Sequence, residues 1–378
     1  MRIHSTKKLF DEIPFKPEAD TGEEENPLFS WHANLLVIDR RKTIVLMNDN
    51  NRYTIVLYGL KAKDLKVLDG LIVEAIRKTF KSERLSDEVI EQYISAAGAV
   101  TFHKTKNRSL VARLNKAVDN VWFYSREMDK ALLINTNVSK NASRLLGGGG
   151  NSPSTYPYKE LFKDLKSLVE GPVFKTRAAV MKVSMQLGEH SIWRRLLVPL
   201  DTSFYEMHRI LQIAFDWHDY HLHEFYLYDE SKTDEPEFEH SPTYTSYGYR
   251  PMLNIVMNEE AVAYSGDVEV KLEKGLLLTD FIPPHTYMKY IYDYGDEWKH
   301  EIFIEEIVTR DDLQSPVCLE GEGTAPPEDC GGEPGFDNFL KIMSDPSNPE
   351  YESMKSWARM QLYREFDMGL VNGRLRRY

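Results

Sequence analysis

The sequence contains little cysteine, glycine or proline, and each shortage excludes a class of protein. Two cysteines among 378 residues are too few for a disulfide framework. With 21 glycines and 18 prolines, a collagen-like or low-complexity chain is excluded. No run approaches the roughly 18 apolar residues of a membrane-spanning helix, and no apolar segment follows the basic start as a signal peptide requires. We therefore expect a cytoplasmic protein with no membrane segment.

The chain also lacks an excess of positive charge. Lysine and arginine number 47 against 59 aspartates and glutamates, a formal net charge of -12. A large basic surface for nucleic acid is therefore not the first expectation. Local basic groups could still meet phosphates, although the acidic balance favours solvated turns and tails. These groups are Arg40, Arg41 and Lys42; Lys104, Lys106 and Arg108; Arg194 and Arg195; and Arg374, Arg376 and Arg377.

Apolar and aromatic residues, in contrast, are plentiful. They make up 42% and 12% of the chain, which excludes disorder throughout. At roughly 100–200 residues per domain, the length allows two or three domains. Four glycines at 147–150, followed by Ser152 and Pro153, favour a flexible coil. We predict a linker over residues 139–157 that joins an N-terminal domain, 1–138, to a C-terminal domain, 158–378.

The hydrophobic patterns predict that both domains are α+β, each a mainly antiparallel sheet covered by helices. In the first, polar turns join three apolar runs into a meander that helices follow. In the second, alternation predicts a hairpin, and Ser203 and Glu206 fit a capping box. The predicted elements of the first domain are strands 35–38, 43–47 and 52–58 and helices 62–79, 87–94 and 111–122. Those of the second are strands 181–187, 192–199, 224–228, 268–272, 287–294 and 298–308, helices 158–169, 203–215, 336–343 and 350–366, and a long acidic loop at 229–249.

No decisive catalytic signature is present. The sequence has no G-x-x-x-x-G-K-[ST] phosphate loop, no G-x-S-x-G elbow and no H-E-x-x-H metal motif. The two cysteines are not spaced as C-x-x-C, so a zinc finger or ribbon is not indicated. The sequence alone therefore leaves open whether the protein is an enzyme.

Three segments of the second domain nevertheless carry residues suited to chemistry: 217–225, 292–300 and 318–332. If Leu222 lies in a strand, His221 and His223 point to one face and form a plausible metal pair. His300 is the third predicted metal ligand. The carboxylates Asp296, Glu328 and Asp329 are candidates for further ligands or a general base. Cys318 and Cys330 bracket one loop and form a separate candidate for a structural zinc site.

A structural interpretation of the same residues stays open. In it, the histidines hydrogen-bond buried turns, the Pro-Pro-Glu-Asp loop at 326–329 covers an edge strand, and Trp193, Trp217 and Trp298 anchor the core. A His-x-His pair alone is a weak metal signal.

Four motifs in order make the second domain resemble the plasmid pRiA4b ORF-3-like family, the passenger proteins of insertion elements, over about 173–366. They are Ile192-Trp193-Arg194-Arg195 with Val198-Pro199, Ala214-Phe215-Asp216-Trp217 leading into His221-Leu222-His223-Glu224-Phe225, residues 292–300, and Cys318-Leu319-Glu320-Gly321 with 326–332. The N-terminal part resembles an uncharacterised bacterial domain through residues 29–34 and 51–53. The resemblance implies an α+β fold and a link to plasmids or mobile elements, without a settled activity.

Our first functional hypothesis is a non-enzymatic accessory module of a mobile element or defence system. A protein or nucleic-acid partner would lie beside His221, Trp298 and the Pro-Pro-Glu-Asp loop. The predicted partner-binding residues are Trp217, Trp298, Arg194 and Arg195. The alternative is a metal-dependent hydrolase or nuclease that uses a divalent metal such as zinc. Direct DNA binding through the basic turns is a third hypothesis, and it predicts a steep salt dependence.

Overall fold

The computed structural model describes residues 1–19, 24–105, 107–149, 152–232, 249–263 and 268–376. The chain divides into two compact units, Met1–Lys175 and Thr176–Tyr378. Both combine a sheet with helices, which confirms the predicted α+β class. Within the described ranges, no helix is both long and apolar enough to cross a membrane.

The first unit is built on a five-stranded sheet of order β4-β3-β2-β1-β5. The predicted meander is present, because β2, β3 and β4 pair antiparallel, whereas β1 pairs parallel with both β2 and β5. Its elements are β1 (Arg2–Ser5), α1 (Lys7–Phe10), β2 (Ser30–Ile38), β3 (Arg41–Asn48), β4 (Thr54–Leu60), α2 (Ala62–Leu65), α3 (Leu68–Ser82), α4 (Asp87–Ala97), β5 (Thr101–Lys104), α5 (Arg108–Phe123), α6 (Thr136–Arg144), β6 (Gly147–Gly149), β7 (Ser152–Thr155) and α7 (Pro157–Leu168).

Helices cover both faces of this sheet. One core contains the apolar stripe of α3, including Leu68, Ile72 and Phe80, together with residues of α4 and α7. The second core lies against α5 and α6 and contains Leu114 and Val138. Both faces of β2 and β3 are therefore buried along most of their length, with a continuous apolar run in each, Leu35–Ile38 and Ile44–Met47.

The division between the units lies after Lys175, later than the predicted linker at 139–157. Helix α6 occupies the beginning of that range and buries Val138 and Ala142 in the first unit. Helix α7, predicted to open the second domain, buries Leu161 and Leu165 in the first unit's other core. The boundary lies later than predicted because α6 and α7, the helices on either side of the glycine run, both pack their apolar stripes into the first unit. Gly150 and Asn151 lie outside the described residues.

The second unit is built on an eight-stranded sheet of order β12-β11-β10-β13-β14-β8-β9-β15. All its pairs are antiparallel except β11 with β12. Its elements are β8 (Thr176–Met185), β9 (Trp193–Pro199), α8 (Phe204–Phe215), β10 (His223–Lys232), β11 (Tyr249–Val256), α9 (Glu259–Val262), β12 (Glu269–Leu272), β13 (Tyr287–Tyr292), β14 (Trp298–Arg310), β15 (Val317–Glu322), α10 (Gly332–Ser344), α11 (Tyr351–Met360) and α12 (Met368–Leu375).

Helix α8 packs on one face of this sheet through Met207, Ile210 and Leu211. Ser203 caps it as predicted: its side chain accepts from the Glu206 N–H, and the Glu206 carboxylate accepts from the Ser203 N–H. The predicted helix 350–366 is shorter, since α11 ends at Met360 and α12 follows. Strands β11 and β15 were not predicted, and residues 233–248 of the predicted acidic loop lie outside the described residues.

Candidate functional site

The three segments predicted to carry chemistry meet at one end of the second unit's sheet. Strand β10 pairs with β13 so that His223 lies opposite Tyr292. One residue further, the Asp293 N–H donates to the Leu222 carbonyl over 2.9 Å. This pairing brings His221, just before β10, beside Asp293, just after β13.

The loop between β15 and α10 is fixed against the same place by four hydrogen bonds. The indole N–H of Trp217 donates to the Pro326 carbonyl over 2.9 Å, and the Gly331 N–H donates to Oδ2 of Asp296 over 3.1 Å. Glu328 is buried, and its two carboxylate oxygens accept from the His218 N–H and the Tyr292 hydroxyl. The loop therefore holds the next residue, Asp329, in a defined position.

His221, Asp293 and Asp329 form a compact group. Nε2 of His221 lies 3.0 Å from Oδ1 of Asp329 and 3.5 Å from Oδ2 of Asp293. That nitrogen is itself buried, and it has no hydrogen bond of good geometry within the part of the chain that the structure describes. All three ligand atoms lie within 4.8 Å of one another, a spacing at which the group could hold one metal ion. No other group of three such donors occurs among the described residues.

The geometry of the group suits a small divalent ion. Zinc binds histidine nitrogen and carboxylate oxygen at about 2.0–2.2 Å, so two neighbouring ligand atoms lie about 2.9–3.4 Å apart for bond angles of about 90–110°. The distances from His221 Nε2 to the two carboxylates, 3.0 and 3.5 Å, are close to that span. Oδ1 of Asp293 accepts from the Gly295 N–H over 2.9 Å, which leaves Oδ2 facing His221. Asp293 and Asp329 both have left-handed backbone conformations, φ 59° and 57°, that aspartate tolerates better than most residues.

Asp293 was missed by the sequence analysis, which selected Asp296 from the same segment. Its position could have identified it. Asp293 directly follows the buried strand β13, and the strand that pairs with β13, β10, begins with His223. Asp296 instead accepts from the loop backbone at Gly331 and has no place in the group. Glu328 is likewise a hydrogen-bond acceptor that fixes the loop.

His223, predicted as the partner of His221, belongs to a separate buried network. Its Nε2 lies 3.0 Å from Oε2 of Glu273, and its ring stacks on His208. Nε2 of His208 donates to Asp219 over 2.7 Å, and its Nδ1 accepts from the Tyr290 hydroxyl over 2.8 Å. Burial lowers the pKa of His208, so this ring is held neutral.

His300 is also outside the group. It is fully buried, and its Nδ1 lies 3.1 Å from the Trp298 carbonyl. Burial lowers the pKa of His300 to about 3, so the ring is neutral in the core. Its environment is aromatic, with Phe215 and Trp217 packed edge-on against it. His300 is therefore a residue of the second unit's core.

The two cysteines are free thiols and are not joined to each other. Cys318 is buried in β15, where its backbone N–H and C=O bind the side chain of Asn372. The Cys330 thiol contacts the Gly332 carbonyl at 3.9 Å. Burial raises the pKa of both thiols, that of Cys330 to about 12, which disfavours the thiolate that zinc requires. Neither cysteine belongs to a donor group among the described residues.

Of the residues predicted to bind a partner, three are buried and one is partly exposed. Trp217, Trp298 and Arg194 are at most 3% exposed, because they pack inside the second unit's core. They therefore present no surface to a partner in this structure. The Arg195 side chain is 34% exposed and forms ion pairs with Glu305 and Glu320. Among the basic groups, Arg374 pairs with Asp216, while Lys106 and Arg377 lie outside the described residues.

Comparisons with known proteins agree with this division of the chain. Residues 177–373 match the model of the plasmid pRiA4b ORF-3-like protein family, and residues 2–160 match a domain of unknown function, DUF6933. An uncharacterized protein of Sinorhizobium fredii, y4hQ, is 27% identical over 178 residues, which are 47% of this chain and 79% of that protein. A protein of unknown function from Methanosarcina mazei Go1, MM3350, has a crystal structure that matches with 28% identity and a TM-score of 0.41. The match covers 51% of this chain and 97% of that one.

Both predicted resemblances are thus confirmed, and neither brings an established activity. The family match spans β8 to α12 and includes His221, Asp293 and Asp329. The chain belongs to the plasmid pRiA4b ORF-3-like protein family.

Proposed function

We propose that the second unit is a binding domain for one divalent metal ion, with His221, Asp293 and Asp329 as its protein ligands. The observation that carries this proposal is the position of His221 Nε2, which is buried, has no hydrogen bond within the described part of the chain, and lies within 3.5 Å of two carboxylate oxygens. One nitrogen and two oxygens are a donor set suited to zinc or manganese.

The surroundings support this assignment because they hold the ligands before any ion arrives. The Tyr292–Glu328 hydrogen bond and the Trp217–Pro326 hydrogen bond fix the loop that carries Asp329. The Gly295 N–H orients Asp293. Such outer contacts raise metal affinity because they reduce the freedom that the ligands lose on binding.

A metal-dependent hydrolase is a second candidate. Structural zinc sites are closed by four protein ligands, whereas catalytic sites use three and leave a position for water. Here three ligands are present, and the Asp329 side chain is 54% exposed, so water and a substrate can reach the ion. A metal held there would lower the pKa of its bound water and supply a nucleophile for hydrolysis.

The open position is also compatible with an accessory role in the cytoplasm, as suggested by the family's link to plasmids. In that role, a phosphate or carboxylate of the partner would complete the coordination of the metal. Capture of a specific partner from the native host in the presence of metal, and its release by a chelator, would support this role. Identical capture with and without chelator would contradict it.

The metal itself is tested by titrating the chelator-treated full-length chain with Zn²⁺ and with Mn²⁺ in a calorimeter. We expect one equivalent to bind, and His221→Gln to weaken binding at least about tenfold, because a ligand atom is lost. His190→Gln is a matched control, since His190 is similarly exposed but faces one carboxylate, Asp337 at 2.7 Å. The control should bind metal as the wild type does.

Two results would contradict the proposal. If no stoichiometric metal binds, His221 is simply a polar neighbour of two aspartates. If the two variants weaken binding equally, the metal binds elsewhere. Hydrolase activity is tested separately, on model phosphodiesters and esters with the metal-loaded protein, and turnover that survives His221→Gln would reject the catalytic candidate.

A further inference from the structure

One face of the first unit's sheet changes from apolar to polar across its width. Over β2 to β4 it carries the core that packs against α5 and α6. Toward β1 and β5 it carries a histidine row, His32, His4 and His103, which are register partners on adjacent parallel strands. The His4 ring lies 4.9 Å from that of His32 and 5.8 Å from that of His103. Three buried imidazoles where apolar residues would pack better indicate a function at this end of the sheet.

A cleft of about 300 Å³ lies beside the histidine row. Two of its lining residues, Glu25 and Asp49, contact the row directly: Glu25 lies 2.9 Å from His4 and Asp49 lies 2.6 Å from His32. The volume reaches the lower end of the range for small-molecule sites, about 300–1,000 Å³. Nε2 of His32 is buried and has no hydrogen bond among the described residues, so the row retains an unused polar atom.

The other side of the cleft is the beginning of α5. Asn107 caps this 16-residue helix by accepting from the N–H groups of Ser109 and Leu110. All three of these residues line the cleft, together with Arg113. A helix start carries partial positive charge, and here the first turn contains no acidic residue to offset it.

Arg113, which lines the cleft, and Arg52, whose charge interacts with that of Arg113, have no acidic partner among the described residues. Burial lowers the pKa of Arg52, and so does the positive charge of nearby Arg113. The carboxylate of Glu25, in contrast, already pairs with Arg2 and His4. The helix side of the cleft therefore carries positive charge that no carboxylate of the described residues balances, and an anionic ligand would balance it.

We propose that this cleft binds a small phosphate monoester that also carries hydroxyl groups, such as a sugar phosphate or a nucleoside monophosphate. The phosphate is received by the Arg113 guanidinium, which offers charged hydrogen-bond donors, and the partial positive charge at the start of α5 also favours an anion there. The hydroxyl groups donate to Asp49 and Ser30 on the sheet side.

The size of the cleft and the charge of the chain favour a small ligand over a polymer. A nucleic acid needs an extended basic surface, and this chain carries a net charge of -12. Two members of the predicted basic group at 102–108 agree with the proposal. Lys104 is the last residue of β5 and Arg108 is the first residue of α5, so they flank Asn107, which caps the helix at the cleft.

The test is calorimetric titration of the full-length chain at about 0.15 M salt, where nonspecific ion pairing is screened. The probes are adenosine 5′-monophosphate, ribose 5-phosphate, inorganic phosphate and adenosine. We expect the phosphate esters to bind and adenosine not to bind. Arg113→Gln should weaken binding about tenfold or more, as expected for a lost charged hydrogen-bond partner. Lys116→Gln, on the exposed side of α5, removes the same charge and should stay within about twofold of wild type.

Asp49→Asn tests the hydroxyl side, and it should reduce the preference for ribose 5-phosphate over inorganic phosphate. Retained circular dichroism of each variant shows that a loss is local. The proposal is overturned if no phosphate ester binds at millimolar concentration, or if Arg113→Gln and Lys116→Gln weaken binding equally. An unchanged preference in Asp49→Asn would overturn the assignment of the hydroxyl groups. None of these results depends on the metal site of the second unit.

Discussion

The imidazole rings of His208 and His223 are stacked, with their centroids 3.6 Å apart and their planes 5° from parallel. Two protonated rings at that distance would repel strongly, so the stack requires at least one neutral ring. His208 is that ring, since burial lowers its pKa and its two nitrogens are committed to Asp219 and Tyr290. The stack explains why His223 is absent from the metal-binding group although it lies two residues from His221.

Protonation of His300 on unfolding should make the second unit less stable in acid. Its folded pKa of about 3 is below that of an unfolded histidine, about 6.5, so only the unfolded chain takes up a proton between these values. Stability from this residue is present above pH 6.5 and falls as the pH decreases. At pH 5 the loss is about 2 kcal/mol. His300→Phe removes that contribution.

The measurement is urea unfolding followed by tryptophan fluorescence at pH 7 and pH 5. The drop in unfolding free energy between the two pH values should be about 2 kcal/mol smaller in His300→Phe than in the wild type. His300→Phe will itself be less stable at pH 7, because the Trp298 carbonyl loses its hydrogen bond. Equal drops in both proteins would show that His300 is already protonated, or accessible to protons, in the folded state.

The adjacent arginines Arg194 and Arg195 should respond oppositely to mutation. The Arg194 guanidinium is buried, donates to the carbonyls of Ala214, Trp193, Glu322 and Gly323, and lies 3.7 Å from the Phe366 ring centroid. Arg194→Lys cannot satisfy these acceptors, so we expect a loss of about 3–5 kcal/mol in unfolding free energy. Arg195→Lys changes only exposed ion pairs and should cost less than about 1 kcal/mol.

Denaturant unfolding of the two variants provides the comparison. If Arg194→Lys and Arg195→Lys cause similarly small losses of unfolding free energy, Arg194 is not buried in the folded protein and could contact a partner.

The fold was largely predictable because its signals are local, while the site depends on long-range pairing. The capping box of Ser203 and Glu206 lies within one turn and is visible in the sequence. Asp293 becomes a neighbour of His221 only through the pairing of β10 with β13, which one sequence does not specify. The burial of His300 could have been inferred, since it alternates with Trp298 and Ile302 on one face of a strand.

Two buried tryptophans provide a matched test of the loop that carries Asp329. The ring centroids of Trp217 and Trp298 lie 6.2 Å apart, but of the two indole N–H groups only that of Trp217 has a hydrogen-bond partner among the described residues, the Pro326 carbonyl. Phenylalanine at either position removes similar volume. Trp217→Phe should cost about 1 kcal/mol more than Trp298→Phe in unfolding free energy, because the Pro326 carbonyl is left unsatisfied.

If the metal site forms as proposed, Trp217→Phe should also weaken Zn²⁺ binding more than Trp298→Phe, since it loosens the loop next to Asp329. Calorimetry on both variants measures this. The reverse order of affinities would indicate that the tether to Pro326 does not position the loop.

In the first unit, the buried carboxylate of Glu83 forms an ion pair with the partly buried Arg144, which joins α6 to the end of α3. Both carboxylate oxygens of Glu83 accept from the guanidinium over 2.7 Å, and Oε1 also accepts from the Tyr53 hydroxyl over 2.6 Å. Burial alone would raise the pKa of Glu83, but Arg144 holds it below its usual range. Glu83→Gln keeps the shape and leaves Arg144 unpaired, so we expect the first unit to lose about 2–4 kcal/mol of unfolding free energy.

Glu91→Gln is the matched control, because Glu91 pairs with Arg77 on the surface and its side chain is 56% exposed. That change should cost less than about 1 kcal/mol in the same unfolding experiment. A large loss in Glu83→Gln but not in Glu91→Gln is expected only if α6, which ends at Arg144, is part of the folded first unit. If the predicted linker at 139–157 were flexible throughout, Arg144 would be solvated and both substitutions would have similarly small effects.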